Sequence, residues 1–381
     1  MFDGHAELGR HAAFDGHEGG GVDLAAQLLA GPSGLGTAAR RLTAPPARDL
    51  HAPIPYAERD WGDGTYPPLY CPVTVRADEA LGAEVDRRLV AWAEQTGIYA
   101  GQLDAFRATG FGRLAMLTHA DCDDPDLLLA AAQMNTAWWA ADDYYADDTS
   151  LGATPTELPP RLALIMSAMD PPPEIGPYAA PLETAIDDDP VLVALSSAIA
   201  HLARHATPGQ VLRVKHTTFQ MYVSWTAYAA WRYLETPPPV WRYLAARQHD
   251  SFYTSMTLID IIGGYRLPAD LFGLAPVHRA MMQAGTASVL VNDLHPAARE
   301  AADEMPDANI VLLIAAEEDC SIRAATVRTV ALHNDLVRAF EASQAELAVI
   351  PSAELRRLLR GAQAWMAGCL EWHGSSGRYA G

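Results

Sequence analysis

Residues 124–148 read DPDLLLAAAQMNTAWWAADDYYADD. Asp124 followed by Pro125 is a helix start: a short acidic side chain can accept from the first free amides, and the fixed φ of proline suits the first turn. From Leu127 to Ala141 apolar residues occupy every side of a 3.6-residue period. That pattern predicts a helix buried all round, an inner member of a large helical assembly. Four aspartates then follow, Asp142, Asp143, Asp147 and Asp148, beside Trp138, Trp139, Tyr144 and Tyr145. Buried carboxylates are costly unless something cationic meets them, and acids at a helix C-terminus oppose the macrodipole. A solvated helix end running into TSLGATP is one reading, and a site for a hard cation is the other. Asp143 and Asp147 share a helix face, with Asp142 about 100° round. Oxygens grouped this way suit Mg²⁺, which takes a few carboxylates and keeps positions for phosphate oxygens.

The helical pattern recurs from about Asp78 to the C-terminus, in stretches such as ADEALGAEVDRRLVAWAEQ, PGQVLRVKHTTFQMYVSWTAYAAWRYLE, PPVWRYLAARQHDSFYTSMTLIDIIGG, VHRAMMQAGTASVLVNDLHPAARE and SAELRRLLRGAQAWMAGCLEWH. Pro and Gly punctuate them, and no strand-rich block or internal repeat is apparent. The fold class is all-α: a single helical domain over residues 51–381 with ten or so helices. Residues 1–50 are rich in Gly, Ala and Pro without a sustained period and read as a disordered leader. The prolines of HAPIPYAERDWGDGTYPPLYCP exclude a helix and predict an extended surface run.

Among 381 residues, 47 are acidic and 27 are Lys or Arg, a net charge of −20. That balance excludes nucleic acid and anionic membrane surfaces as partners, but not a small anionic substrate carried with divalent metal. Half the residues are hydrophobic, yet Asp, Arg or His breaks every long apolar run, so no membrane span is expected. The N-terminus shows neither a basic segment nor an apolar core of a secretory signal, and a cytoplasmic location is expected. Cys71, Cys122, Cys320 and Cys369 lack CxxC spacing, which points to reduced thiols.

Two other acidic runs, Asp123-Asp124-Pro125 and Asp187-Asp188-Asp189-Pro190, read as helix N-caps. Later, VNDLHPAARE (residues 291–300) places Asn292 and Glu300 two turns apart on one face of a helix, with Pro296 between them. Their usual reading is as surface residues, but the preceding GTASVLV is apolar. The chain closes on WHGSSGRYAG, where Arg378 and Tyr379 follow a Gly/Ser hinge. A loose terminus is one reading, and a lid carrying a cation and a phenol is the other.

Together these segments resemble the class I terpene synthases of bacteria, which carry an aspartate-rich DDxxxD/E motif, an NDxxSxxxE motif and a C-terminal Arg-Tyr pair. The matches are Asp142, Asp143 and Asp147, then Asn292 and Glu300, then Arg378 and Tyr379. Arg247, in YLAARQHDSF, stands where that family has a diphosphate-sensing arginine, with Asp250 and Ser251 after it. Over roughly residues 66–381 the likeness is closer to the 2-methylisoborneol synthase branch, through PPLYCP, RLVAWAEQTGIYAGQLD, DDYYADD, GTASVLVNDL and EWHGSSGRY. The resemblance implies a Mg²⁺-dependent cyclase, with three ions, acting on 2-methylgeranyl diphosphate to give 2-methylisoborneol and diphosphate. Alternatives within it are 2-methylenebornane as product, geranyl or farnesyl diphosphate as substrate, or a weak diphosphate-binding homologue. A homodimer also fits the family. Asp142, Asp143, Asp147, Asn292 and Glu300 would hold metal, and Arg247, Arg299, Arg378 and Tyr379 would bind the diphosphate. Trp138, Phe219, Tyr222, Trp225, Tyr253 and Trp372 would line a pocket whose aromatic faces stabilise a carbocation by roughly 0.5–2 kcal/mol each. In one departure, Pro296 replaces the family's Ser ligand and offers no side-chain oxygen. Either a water or His295 takes that place, or the third ion binds more weakly.

Overall fold

A computed structural model of the protein describes residues 54–73, 76–147, 153–173, 175–301 and 308–376. The leader (1–50) and the pair Arg378 and Tyr379 lie outside the described residues, as does Asp148. The main helices are α1 (Glu79–Thr96), α2 (Phe111–Thr118), α3 (Pro125–Ala141), α4 (Leu158–Met169), α5 (Pro190–Ala203), α6 (Pro208–Tyr233), α7 (Val240–Arg247), α8 (Ala275–Leu294), α9 (Ile310–Glu317), α10 (Ile322–Leu347) and α11 (Ala353–His373), with shorter ones between them. As the apolar run demands, α3 is an inner helix, buried almost continuously from Leu128 to Ala141 and packed on α1, α2 and α5. On the other side α8 packs on α10 and α11. The acidic starts behave as caps. Asp124 Oδ1 accepts from the Asp126 amide at 2.8 Å, and Asp189 Oδ1 from the Val191 amide at 2.9 Å.

Small residues set the closest approaches. A Cβ on Gly368 of α11 would lie 2.9 Å from the backbone of Leu117 in α2, and one on Gly285 of α8 would lie 2.6 Å from the amide of Tyr253. Any larger residue there forces the elements apart.

Three sequence expectations are corrected. The proline-rich stretch before the first helix is an antiparallel hairpin, β1 (Tyr56–Arg59) and β2 (Leu69–Pro72), with Tyr56 opposite Pro72. It is no loose surface run: alternation along β2 buries Leu69 and Cys71, while the Tyr70 amide donates to Asn334 of α10 at 2.7 Å. Residues 238–264 form three helices, α7, Tyr253–Met256 and Ile259–Ile262. Between the first two, the Ser251 hydroxyl bonds the Gln248 carbonyl at 2.9 Å and takes the Tyr253 amide at 3.2 Å, so a side chain replaces part of the helical ladder. Finally, α8 ends at Leu294 and a short helix, Ala297–Glu300, starts after Pro296. Asn292 and Glu300 therefore sit on two helices rather than one, because Pro296 has no N–H to continue the ladder.

Candidate active site

The aspartate motif does not end α3 as a frayed turn. Asp142–Asp147 continues it as a π-helix, a wider turn that recurs at functional sites. Its tyrosines fasten it on two sides. Tyr145 donates to Asp189 Oδ2 at 2.6 Å, and the Tyr144 hydroxyl accepts the Tyr99 amide at 2.9 Å. Tyr99 in turn donates its own hydroxyl to Asp143 Oδ2 at 2.7 Å. Its φ of 54° is left-handed, a costly backbone for tyrosine that its two bonds hold in place. Arg232 of α6 also reaches the Ala146 carbonyl. Asp142 and Asp143 are half-buried, and only the backbone of Asp147 is described.

The second group gathers around Arg247 at the end of α7. Its guanidinium donates to Asp250 Oδ2 at 2.7 Å, to Asp293 Oδ1 at 2.6 Å and to Asn292 Oδ1 at 3.2 Å. Tyr243 donates to the other oxygen of Asp293 at 2.7 Å. Burial works against the Arg247 charge, but the Asp293 carboxylate and then Tyr243 and Asp250 more than offset it, holding its pKa well above the ordinary arginine value. Burial likewise raises the Asp293 carboxyl, opposed by Arg247 and Tyr243. Asn292 Nδ2 lies 3.3 Å from His373 Nε2. Glu300 Oε2 accepts from Asn309 Nδ2 at 2.8 Å, and the same amide group reaches the Asp293 carbonyl at 2.8 Å. The break at Pro296 thus turns the chain so that Asn309 braces both Glu300 and the end of α8.

Helix α6 joins the two groups. Trp225 donates its indole N–H to Asp250 Oδ1 at 2.9 Å and stands edge-on to Tyr222, ring centroids 5.1 Å apart. The Tyr222 hydroxyl is pushed above its ordinary pKa by burial and then by the charge of Asp142. Ring and polar contacts therefore run from Tyr222 through Trp225, Asp250 and Arg247 to Asn292, with the charge of Asp142 felt at the Tyr222 end.

The residues at both ends of this path fit the groups the sequence implies. Carboxylate and amide oxygens are hard donors suited to Mg²⁺. Among the described residues, the buried Arg247 Nε and the buried Tyr222 hydroxyl have no hydrogen-bond partner, which suits an anion's oxygens. Pro296 contributes no oxygen. Neighbouring His295 stacks loosely between Trp61 and His373, at 5.8 and 5.4 Å, and burial lowers its pKa to about 4.

The remaining sequence candidates divide. Trp372 packs with Phe111 and Trp139 at 5.6 and 5.7 Å, and its indole N–H donates to the Thr109 carbonyl at 2.8 Å. Trp138 is core, with a buried indole N–H that meets no described acceptor. Tyr253 faces His278 at 5.5 Å, and Phe219 is half-buried. Arg299 is exposed. Sequence reasoning passed over Asp293, Tyr99, Tyr243, His373 and Trp139. Asp293 stood inside a quoted motif, and its total burial was the missing information. Tyr99 lay in a stretch, TGIYAGQLD, already marked by resemblance. Trp139 lines up with Phe252 at 5.8 Å beside the aspartates.

Residues 133–339 match the family model for terpene synthase family 2, C-terminal metal binding. The 2-methylisoborneol synthase of Streptomyces griseus is 35% identical over 361 residues, covering 94% of this chain and 80% of the relative. Among solved structures, 2-methylisoborneol synthase from Streptomyces coelicolor A3(2) in complex with Mg²⁺ and 2-fluoroneryl diphosphate superposes with a TM-score of 0.78 at 33% identity, over 82% of this chain and 97% of that one. The same enzyme with Mg²⁺ and geranyl-S-thiolodiphosphate gives 0.76 at 32% identity, over 82% and 96%. Among the described residues no helix is long and apolar enough to cross a membrane.

Proposed function

This chain belongs to the 2-methylisoborneol synthase branch of the bacterial terpene synthases, and on that basis we propose that it converts 2-methylgeranyl diphosphate to 2-methylisoborneol with release of diphosphate. The observation that carries the reading is the contact of Arg247 with both Asn292 and Asp293. It joins two motifs far apart in sequence and leaves Arg247 Nε buried with no acceptor among the described residues.

In this reading Asp142, Asp143 and Asp147 hold metal on one wall, and Asn292 and Glu300 on the other, with three ions in all. Bound Mg²⁺ supplies the positive charge that stabilises the departing diphosphate in an otherwise acidic protein. Arg247, Arg299 and Arg378 neutralise the remaining charge, with the planar guanidinium forks matching phosphate oxygens. Tyr379 donates a hydrogen bond. Asp293 and Asp250 keep Arg247 ionised and aimed. Tyr222 and Trp225 offer aromatic faces that stabilise the cation without trapping it. Cyclisation breaks the C–O bond to diphosphate, closes the bornyl skeleton, and ends when one water adds to the cation and loses a proton.

The test is product analysis by gas chromatography after incubating the full chain with Mg²⁺ and 2-methylgeranyl, geranyl or farnesyl diphosphate in turn. We expect 2-methylisoborneol from the first and no turnover with chelator. An olefin alone would remove the water step. Products from farnesyl diphosphate alone would overturn the substrate.

A further inference from the structure

At the other end of α3 lies a group that the cyclase chemistry does not use. Asp126, in the first turn of α3, meets His201 in the last turn of α5 and His205 just beyond it. His201 Nε2 is 3.4 Å and His205 Nε2 3.3 Å from the same carboxylate oxygen, Asp126 Oδ2. All three candidate ligand atoms lie within 4.8 Å of one another. From Asp126 to Asp142 the helix rises by about 24 Å, so this cluster is separate from the aspartate motif.

An acid in a first turn and histidines in a last turn are what helix dipoles favour, and a plain His–Asp ion pair needs nothing more. The surroundings of His201 point further. Its Nδ1 is 2.6 Å from Gln133 Oε1, a carbonyl oxygen that accepts only, and the tautomer that satisfies this contact carries its hydrogen on Nδ1. In the neutral ring Nε2 then presents a lone pair to the Asp126 carboxylate. His201 is only 6% exposed, and its Nε2 is buried with no hydrogen-bond partner. Two acceptors face each other, and a cation between them resolves the conflict. The two distances to Asp126 Oδ2 also fit. Ligands about 2.0–2.1 Å from a tetrahedral centre stand about 3.3–3.4 Å apart. The Gln133 bond is the outer support that metal-bound histidines use to fix tautomer and ring orientation.

We propose that Asp126, His201 and His205 form a tetrahedral site for a divalent metal of the zinc class, clamping the start of α3 to the end of α5. The two imidazoles and one carboxylate are a zinc-type donor set, and imidazole does not favour Mg²⁺. Asp126 and His201 also border a cavity of about 650 Å³ together with Gln133 and Arg204. A water or small anion completing the coordination there would lie near the Arg204 charge. That charge weakens the site relative to a neutral shell. Arg87 and Arg88, on the same cavity, are each paired with Glu84 at 2.8 and 2.7 Å.

The test is titration of the full chain with Co²⁺, in excess Mg²⁺ to occupy the aspartate motif. Visible absorption then distinguishes tetrahedral from octahedral ions. We expect one equivalent of Co²⁺ with intense tetrahedral bands, displaced by Zn²⁺, and the same result in Asp142→Asn. His205 is exposed, so His205→Ala should keep the helical circular dichroism yet lose the bands. Gln133→Leu should weaken binding by roughly 10- to 100-fold, and His205→Ala by more. A rise in melting temperature with Zn²⁺, absent in His205→Ala, would add support. Weak octahedral bands only, or an unchanged titration in His205→Ala, would overturn the site.

Discussion

The two ends of α3 both carry aspartates, and they use them in opposite ways. At the N-terminal end Asp124 is consumed by the helix itself, its oxygen accepting the Asp126 amide. Free N–H groups and a positive dipole end are present there, so an acid needs no outside partner. At the C-terminal end the helix has no free N–H groups to offer and its dipole end is negative. There the chain runs on as a π-helix, and the hydroxyl of Tyr99 donates to Asp143. The lesson is that capture of a carboxylate by a free backbone N–H, more than the number of aspartates, separates the cap Asp124 from acids such as Asp126 and Asp143 that face side chains of other elements.

Removing each kind of acid should break a different property, and the largest effect belongs to a third kind, the buried anchor. Asp293→Ala takes away one of the two carboxylates that pair with the buried Arg247, leaving only Asp250, and leaves Tyr243 without its acceptor. We expect a loss of about 3–5 kcal/mol in urea unfolding, together with loss of turnover. A stable, active variant would refute the anchoring role. Asp142→Asn should act the other way round, lowering turnover by roughly 10²- to 10³-fold while leaving the unfolding midpoint unchanged. Near-normal turnover would return the motif to a solvated helix end.

Pro296→Ser tests whether the second wall lacks a ligand. Restoring an oxygen should lower the Mg²⁺ concentration for half-maximal rate by about tenfold, or about 1.4 kcal/mol. Identical Mg²⁺ titrations would mean that water already fills the place. The smallest effect is expected at the cap. Asp124→Ala should lose about 1 kcal/mol of stability with normal turnover per folded molecule. If it instead lost activity alone, the contrast between the two ends of α3 would fail.

Much of this was legible in the chain. The apolar period of residues 127–141 made α3 an inner helix, and Asp-Pro pairs marked its start and that of α5, because caps and periodicity are local. The breaks after Arg247 and before Ala297 were harder to see. At Ser251 the periodic pattern runs on, and only the hydroxyl's choice of backbone partners interrupts the helix. The spacing of Asn292 and Glu300 predicts one helix running through Pro296, whereas the chain stops and restarts there.

What the sequence determined by itself was the all-α class, the identity of the hard oxygen donors and the order in which the motifs occur. Each of these rests on residue type and short-range spacing. What only the tertiary structure decided was which groups meet. Asp293 belongs to Arg247 and Tyr243, Asp143 to Tyr99, and Asp126 to two histidines of α5. These partners lie 44 or more residues apart in every pair, so no local rule links them. Burial and long-range packing choose a carboxylate's partner, and neither is written in its neighbours along the chain.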